Sequence, residues 1–378
     1  MRANWRLRTA NRVLLELASW PAPDDDALYQ GARRLLAPAQ PPPLSEQSFP
    51  FNESFSLSSS SSSSSTTTSS SLSPSRSSSF LPAPSPSLSL VELLDPGRTF
   101  SIVATSSRSR IRDTRWVGLK VKDGIVDAQR ERYGRRATID RANPDLALRV
   151  RLFEDRATLL LDTSGEPLDR RGYRVESTAA PLREQLSAAA VLASGCDGRG
   201  PVVDPMCGSG TLLAEAGAIA GGLAPNRLRA RWGFEKLPGF DTALFARVRA
   251  EPFAAPDPGG ALLGVDRDPS AIAAARANLS AAGLSLHAVL GVGDAFDFEP
   301  PPGPGLVAVN PPYGDRLAED PEQWRRLGDL LKRRYRGWRA VVVAGDAALG
   351  RELGLRPERR IPFWNGPLEA RLLVLALY

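Results

Sequence analysis

"PVVDPMCGSGTLLAEAGAIA", residues 201–220, decides how this chain folds. A short apolar run, Val202-Val203, is closed by Asp204. A turn follows that holds Gly208 and Gly210. From Thr211 to Ala220 the stretch is apolar, with Glu215 as its one charge. Such a pattern predicts a buried strand, a glycine turn and a helix. Glycine lets the backbone turn tightly and approach a ligand closely. The first N–H groups of a helix that starts there have no partner within it and face an anionic group well. Leu213 stands where a dinucleotide fingerprint needs its third glycine. No Gly-Lys-Ser/Thr follows either, so this is not a phosphate loop.

The unit repeats on both sides. Ahead of it "PLREQLSAAAVLAS" (181–194) reads as a helix. After it come strand "ALLGVDRD" (261–268) and helix "PSAIAAARANLSAAG" (269–283), with Pro269 suited to a first helical turn. Strands "HAVLGVGDA" (287–295) and "GLVAVNPP" (305–312), helix "PEQWRRLGDLLKRRY" (321–335) and strand "RAVVVAGD" (339–346) complete the series. Alternating strands and helices predict a parallel, doubly wound α/β sheet. The end differs, because "RIPFWNGPLEARLLVLAL" (360–377) reads as two strands around Asn365-Gly366, a hairpin signal. A Rossmann-like parallel sheet closed by a C-terminal antiparallel hairpin resembles the layout of S-adenosylmethionine-dependent, class I methyltransferases rather than of nicotinamide dehydrogenases.

Three acids stand in register with that sheet. Asp204, Asp266 and Asp294 each end a predicted parallel strand. Ligands of open α/β sheets bind at the carboxyl ends of strands. An acid after the second strand accepts two ribose hydroxyls; one after the third accepts an adenine amino group. The fourth strand runs into Asn310, Pro311, Pro312 and Tyr313. The two prolines fix φ and donate no N–H, so their carbonyls are presented in a rigid frame. The Asn310 side-chain oxygen and the Pro311 carbonyl together suit the two N–H donors of an exocyclic base amine. That steers the amine's lone pair toward a methyl donor, and orientation then supplies much of the barrier reduction. Tyr313 suits stacking on a base turned out of its helix.

Bulk properties narrow the field. The chain has 378 residues, enough for two domains, and is 42% hydrophobic. No apolar run approaches the ~18–20 residues of a membrane span. Two cysteines, Cys196 and Cys207, are too few for a disulfide framework and fit a reducing cytoplasm. The single histidine, His287, argues against His-dependent triads and multi-His metal sites; no metal is expected, and His287 reads as structural at a strand start. Cys207 has the residue type of a C5-pyrimidine methylation nucleophile. That chemistry needs the thiol beside the base, where this chain has Asn-Pro-Pro-Tyr, so Cys207 reads as a small cofactor-pocket residue. The run 325–339 reads as a solvated helix rather than a binding face.

The first half is a different unit. Residues 98–174 carry 18 Lys and Arg against 11 Asp and Glu, a surplus of seven that exceeds the +6 of the whole chain. A basic domain is the footprint of a polyanion partner. Its pattern is strand and helix over 11–36, then strand, helix and a hairpin turning at Glu154-Asp155, a small α+β domain. The Ser- and Pro-rich stretch 38–89 divides it. Such a composition buries too little apolar surface to offset backbone ordering, so disorder is expected there, as a tolerated surface-loop insertion. The Arg-rich start, "MRANWRLRTANRVLLELASW", has the composition of an organelle transit peptide but reads as an amphipathic segment of the folded domain.

Taken together, "LLDPGRTFSI", "GLKVKDGIVDA", "IDRANPDLALRVRL", "LDTSGEPLDRRGYR", "APLREQLSAAAVLASG", "VVDPMCGSGTLLAEAGAIA", "APNRLRARWGFEKLPGFD", "NPPYGDRL" and "NGPLEARLL" resemble the THUMP-containing guanine-N2 methyltransferases of large-subunit (23S) ribosomal RNA. The stretches span nearly all of the chain outside the Ser-rich segment. A glycine turn with Asn-Pro-Pro-Tyr would also fit DNA adenine-N6 methyltransferases; the basic domain and the "RWGF" insertion do not. A catalytically weak RNA-binding protein is the third reading. The resemblance implies a THUMP-like RNA-binding domain over 90–175, after an N-terminal part (1–37) of a shortened ferredoxin-like region. It implies a methyltransferase domain over 179–378 that uses S-adenosylmethionine, with Asp204, Cys207, Gly208, Gly210, Thr211, Asp266 and Asp294 at the cofactor and Asn310, Pro311, Pro312 and Tyr313 at the guanine. Ribosomal RNA or an assembly intermediate is the partner it implies, for a cytoplasmic monomer. Against the resemblance, two departures are expected, a shortened strand-helix-strand stretch at the start and the Ser-rich interruption, and a single methyltransferase domain is expected where some relatives carry two.

Overall fold

The computed structural model describes residues 1–37, 89–178, 181–196, 198–251, 260–312, 320–345, 347–365 and 368–378. The Ser-rich stretch over 38–88 and Tyr313 therefore lie outside the described residues. The first half holds helices α1 (Arg2–Arg6), α2 (Asp25–Arg33), α3 (Leu90–Leu93) and α4 (Thr114–Tyr133), with strands β1 (Leu14–Pro21), β2 (Phe100–Ser107), β3 (Leu146–Phe153) and β4 (Arg156–Asp162). They form one sheet in the order β1-β4-β3-β2, antiparallel except for the parallel β2/β3 pair. The β3–β4 hairpin turns at Glu154 and Asp155, both with φ near +50 to +57°, as the sequence led us to expect.

Alternation explains the packing. Leu146, Leu148, Val150 and Leu152 on β3 and Ala157, Leu159 and Leu161 on β4 point to one face. Phe100, Val117, Val121 and Ile125 join them, with Leu28 and Ala32 of α2, in one buried core. Leu36 and Leu93 belong to that core too, and the turn Arg34–Leu36 packs on α3. The chain therefore departs before residue 38 and re-enters after 88 at neighbouring points of the surface.

The second half holds helices α5 (Glu184–Ser194), α6 (Thr211–Ala220), α7 (Thr242–Ala250), α8 (Pro269–Ala281), α9 (Pro321–Arg334) and α10 (Ala347–Glu352). Its strands are β5 (Val202–Asp204), β6 (Leu262–Asp266), β7 (Ala288–Val292), β8 (Leu306–Val309), β9 (Arg339–Ala344), β10 (Arg359–Asn365) and β11 (Leu368–Ala376). The order is β10-β11-β9-β8-β5-β6-β7. β5 to β9 run parallel; β11 enters antiparallel beside β9 and pairs with β10, Asn365 opposite Leu368. The sequence thus foretold the hairpin, and the structure adds that its second strand, not its first, joins the parallel sheet.

Strand order reverses between β5 and β8, and clefts of open sheets lie at such a switch point. α9 buries Trp324, Leu327, Leu330 and Leu331 and exposes most of its arginines, the solvated helix its spacing implied. Features that escaped the sequence reading include the short helices α1, α3 and α10 and two others. One is α7. The other is an aromatic cluster in which Trp5 of α1 packs on Trp232 and Phe245, with Phe234 stacked on Trp232. The Arg-rich start is part of this fold, for Asn4 and Trp5 are buried. Residues 1–8 bridge the halves: the Asn4 side chain donates to Thr163 and accepts from Ser164 just past β4, while Arg8 donates to the carbonyl of Ala218 and Asn226 to that of Asn4. Among the described residues no helix is long and apolar enough to cross a membrane.

Candidate active site

The site gathers at the carboxyl ends of β8, β5, β6 and β7, four neighbours in the sheet. β5 is three residues long and wholly buried, and it delivers Asp204 below the glycine turn. The turn is held by its own backbone and by the next strand. The Cys207 N–H donates to the Val265 carbonyl (3.0 Å) and the Gly210 N–H to that of Cys207 (2.8 Å). Asp266 then ties turn to strand, one oxygen accepting from the Gly208 N–H (2.9 Å) and the other from the Asp268 N–H (3.0 Å). Gly208 and Gly210 have φ of +51° and +78°, where L side chains are strained. A Cβ on Gly210 would stand 3.1 Å from that of Ala275, so α6 and α8 approach closely there. On Gly208 it would meet, among the described residues, only the Thr178 hydroxyl, 3.8 Å away.

The three acids are not in the register that the sequence led us to expect. Asp204 and Asp266 end β5 and β6, whereas Asp294 lies past the end of β7, and the three are staggered rather than opposite one another, since Asp204 pairs with Gly264 and Asp266 with Val292; their environments differ too. Asp204 is 1% exposed, and burial pushes its carboxyl up to about 8; the Met206 N–H opposes that shift, and the Asp266 charge adds to it. Asp294 sits two residues beyond β7, near the surface. The Phe296 N–H (2.9 Å) holds it below the usual carboxylate range, against a smaller desolvation penalty, and Arg267 (3.0 Å) helps. Cys207 is buried, and desolvation first, then Asp204 and Asp266, push its thiol well up. A thiol held protonated is no nucleophile, in keeping with the pocket role that its place in the sequence suggested.

Beside the turn, β8 ends at Val309 and Asn310 follows at once. The Asn310 Oδ1 is buried and has no hydrogen-bond partner among the described residues. An orphaned buried amide oxygen costs about 1–3 kcal/mol, and a ligand N–H removes that cost. Pro311 is buried and Pro312 exposed, so the corner is anchored on one side and open on the other. His287 ends a short turn before β7 and is exposed, a surface residue remote in kind from catalysis. Among the described residues no group of three His, Cys, Asp or Glu could hold a metal.

Sequence reasoning missed the connector between the halves. Arg171 is 1% exposed and pairs with the buried Glu215 of α6 (3.3 Å), which also accepts from the Tyr173 hydroxyl (3.0 Å). The lone acid in an otherwise apolar helix was the available signal, since a buried charge needs a partner. The residues that follow Tyr173 reach the glycine turn itself.

A sheet of this order, with a glycine turn after its first strand and an Asn-Pro-Pro corner after its fourth, defines a Rossmann-like class I methyltransferase. Comparison with known families agrees. Residues 171–373 match the RMKL-like methyltransferase domain, and residues 90–162 match the THUMP domain. The chain belongs to the RMKL-like methyltransferase family and carries a THUMP domain ahead of it. It is 39% identical over 298 residues to the ribosomal RNA large subunit methyltransferase K/L of Pseudomonas paraeruginosa. That match takes in 75% of this chain and 41% of the relative, so the chain spans about two fifths of the length of the curated relatives it matches. Among solved structures, SMU.472, a putative methyltransferase complexed with SAH, superposes with a TM-score of 0.74 at 25% identity, over 100% of this chain and 87% of that one. A possible methylase from Clostridium difficile 630 does so with a TM-score of 0.76 at 25% identity, over 100% and 86%.

Proposed function

We propose that this chain transfers a methyl group from S-adenosylmethionine to the exocyclic N2 amine of a guanine in large-subunit ribosomal RNA. The observation that carries the reading is the buried Oδ1 of Asn310, which has no hydrogen-bond partner among the described residues. Its relatives' naming as large-subunit ribosomal RNA methyltransferases, and SAH bound to a structural neighbour, support substrate class and donor.

The residues suit that donor. Gly208 leaves room for it, the first N–H groups of α6 suit its carboxylate, Asp266 retains lone pairs for ribose hydroxyls, and Asp294 for an adenine amine. S-adenosylmethionine, when bound, supplies an electrophilic sulfonium methyl. The Asn310 oxygen accepts one N–H of the guanine amine and the Pro311 carbonyl the other. The amine lone pair, otherwise delocalised into the ring, is thereby turned toward the methyl; nitrogen gains the carbon, sulfur keeps the bonding pair, and a proton passes to water. Positioning does most of the work, so no histidine is needed. Tyr313 stacks on the extruded base. The basic THUMP domain holds ribosomal RNA or an assembly intermediate, in the cytoplasm.

Tritiated S-adenosylmethionine tests this with undermethylated ribosomal RNA and duplex DNA side by side. RNA becomes labelled, DNA does not, and Asn310→Ala lowers the rate by about 100-fold or more. Labelling of DNA alone overturns the assignment.

A further inference from the structure

We propose that the connector between the two halves is part of the cofactor site: Arg174, seconded by Asn278, is a positioning residue that holds Ser209 and Thr211 so that the start of α6 stays free for the ligand. The inference rests on the methyltransferase reading above and adds a residue set to it.

Arg174 makes four hydrogen bonds, two of them to the hydroxyls beside Gly210. Nη1 donates to the Ser209 hydroxyl (3.2 Å) and Nη2 to the Thr211 hydroxyl (3.0 Å) and the Leu182 carbonyl (3.0 Å). Nε donates to Glu184 (2.9 Å), which balances the charge. Only a planar fork can reach both hydroxyls flanking Gly210 at once. Asn278 of α8, 1% exposed, closes the other side with all four of its bonds used. Its oxygen accepts the N–H groups of Val175 (2.8 Å) and Glu176 (3.0 Å). Its nitrogen donates to the carbonyls of Glu176 (2.9 Å) and Ser209 (2.9 Å). Residues 174–176 are thus locked to α8 and to the turn together, and Thr178 of the same segment overlooks Gly208.

The chemistry explains the need. α6 begins at Gly210, which has no side chain to cap it, and no side-chain cap is present. Ser and Thr cap such N–H groups when they stand at the N-cap itself; here Gly210 holds that place and Ser209 and Thr211 flank it. Here Ser209 and Thr211 are 3% and 6% exposed, and both hydroxyl oxygens are engaged by Arg174. Drawn aside, they do not compete with an anionic ligand for the first-turn N–H groups. A second consequence follows from the chain path. The same segment leaves β4 of the THUMP half and passes Arg171 and Glu215 before reaching Ser209, so a shift of that half moves the turn.

The test uses the full chain, with Arg174→Ala, Arg174→Lys and Asn278→Asp. Two readouts are taken: backbone amide hydrogen exchange over 208–213 without ligand, and calorimetric binding of S-adenosylhomocysteine without RNA. Arg174→Ala should speed exchange at the turn while the β-strand amides keep theirs, and should weaken binding about tenfold or more, the loss of charge-assisted hydrogen bonds. Arg174→Lys should recover part of both. In turnover, the KM for S-adenosylmethionine should rise by the binding factor while kcat changes less than about threefold. Unchanged exchange at the turn, or exchange that rises evenly through the whole half, overturns the proposal. Asn278→Asp, which loses both donated bonds, decides the same question by the same readouts if Arg174→Ala does not fold. Wild-type protein that binds no S-adenosylhomocysteine would sink the donor reading instead, and the exchange data alone would then judge the clasp.

Discussion

Asp204 shows how far a residue's identity and its state diverge. A buried carboxyl lifted to about 8 keeps its proton through neutrality, whereas in the unfolded chain it loses it near 4. Between those values the folded state binds the extra proton, so its contribution to stability falls as pH rises and levels off above about 8. Asp204→Asn keeps the shape without titrating. Stability from urea unfolding should therefore favour the variant increasingly from about pH 5 to about pH 8, by about 1.4 kcal/mol per pH unit at most; a gap that does not change with pH contradicts the burial argument. Cys207 offers the converse case. With its thiol held protonated, Cys207→Ala should retain methyl transfer within about tenfold, losing only pocket packing. Loss of a covalent enzyme–substrate adduct together with all activity would show instead that the thiol attacks the base.

At the scale of elements, the turn between β5 and α6 concentrates the constraints. Ala at position 210 meets a left-handed φ, which costs about 1–2 kcal/mol, and crowds Ala275. Gly210→Ala should lower Tm by several degrees and weaken S-adenosylhomocysteine binding; an unchanged Tm in thermal unfolding would mean that the α6–α8 contact is looser than 3.1 Å implies. The strand–turn–helix period, the acids at strand ends and the hairpin were legible because each is a local pattern with a local cause. β7, by contrast, stops at Val292, short of Asp294, because Gly293 turns the chain there and donates to the Asp266 carbonyl. The clasp by Arg174 and Asn278 was not legible. Its bonds from the connector to the turn and to α8 span 35 to 103 positions, and only the fold brings a connector, a helix and a turn together. The aromatic cluster was hidden for the same reason: Trp5 and Trp232 are each unremarkable until α1 crosses to the second half.

Among the described residues the molecule has one buried core against the THUMP sheet, two in the methyltransferase half and a fourth around Trp5 and Trp232. The THUMP sheet and the methyltransferase sheet have separate buried clusters, while residues 1–8, Arg171 and the 232–236 turn bind one half to the other. Arg98 of the THUMP half donates to the Lys236 carbonyl, and Lys236 reaches back to Asn143 and Pro144. This is why the "RWGF" stretch, which separated the chain from DNA methyltransferases on resemblance, also has a structural task. Residues 38–88, the Ser- and Pro-rich stretch, lie outside the described residues. Leu36 and Leu93 share a core, so the points where the segment leaves and returns are close, and loop closure depends only weakly on length. Replacing residues 40–86 by a short Gly-Ser linker should leave Tm within a few degrees and ribosomal RNA methylation intact. A collapse of either, in thermal unfolding or in the methylation assay, would give the segment a role that its composition does not suggest.

The central claim is that Asn310 and Pro311 present a guanine N2 amine for methylation. Mass spectrometry of nucleosides from undermethylated ribosomal RNA treated with the chain and S-adenosylmethionine tests it most directly. The account predicts a rise in N2-methylguanosine and in no other methylated nucleoside, lost with Asn310→Ala. A rise in N6-methyladenosine in its place would contradict it.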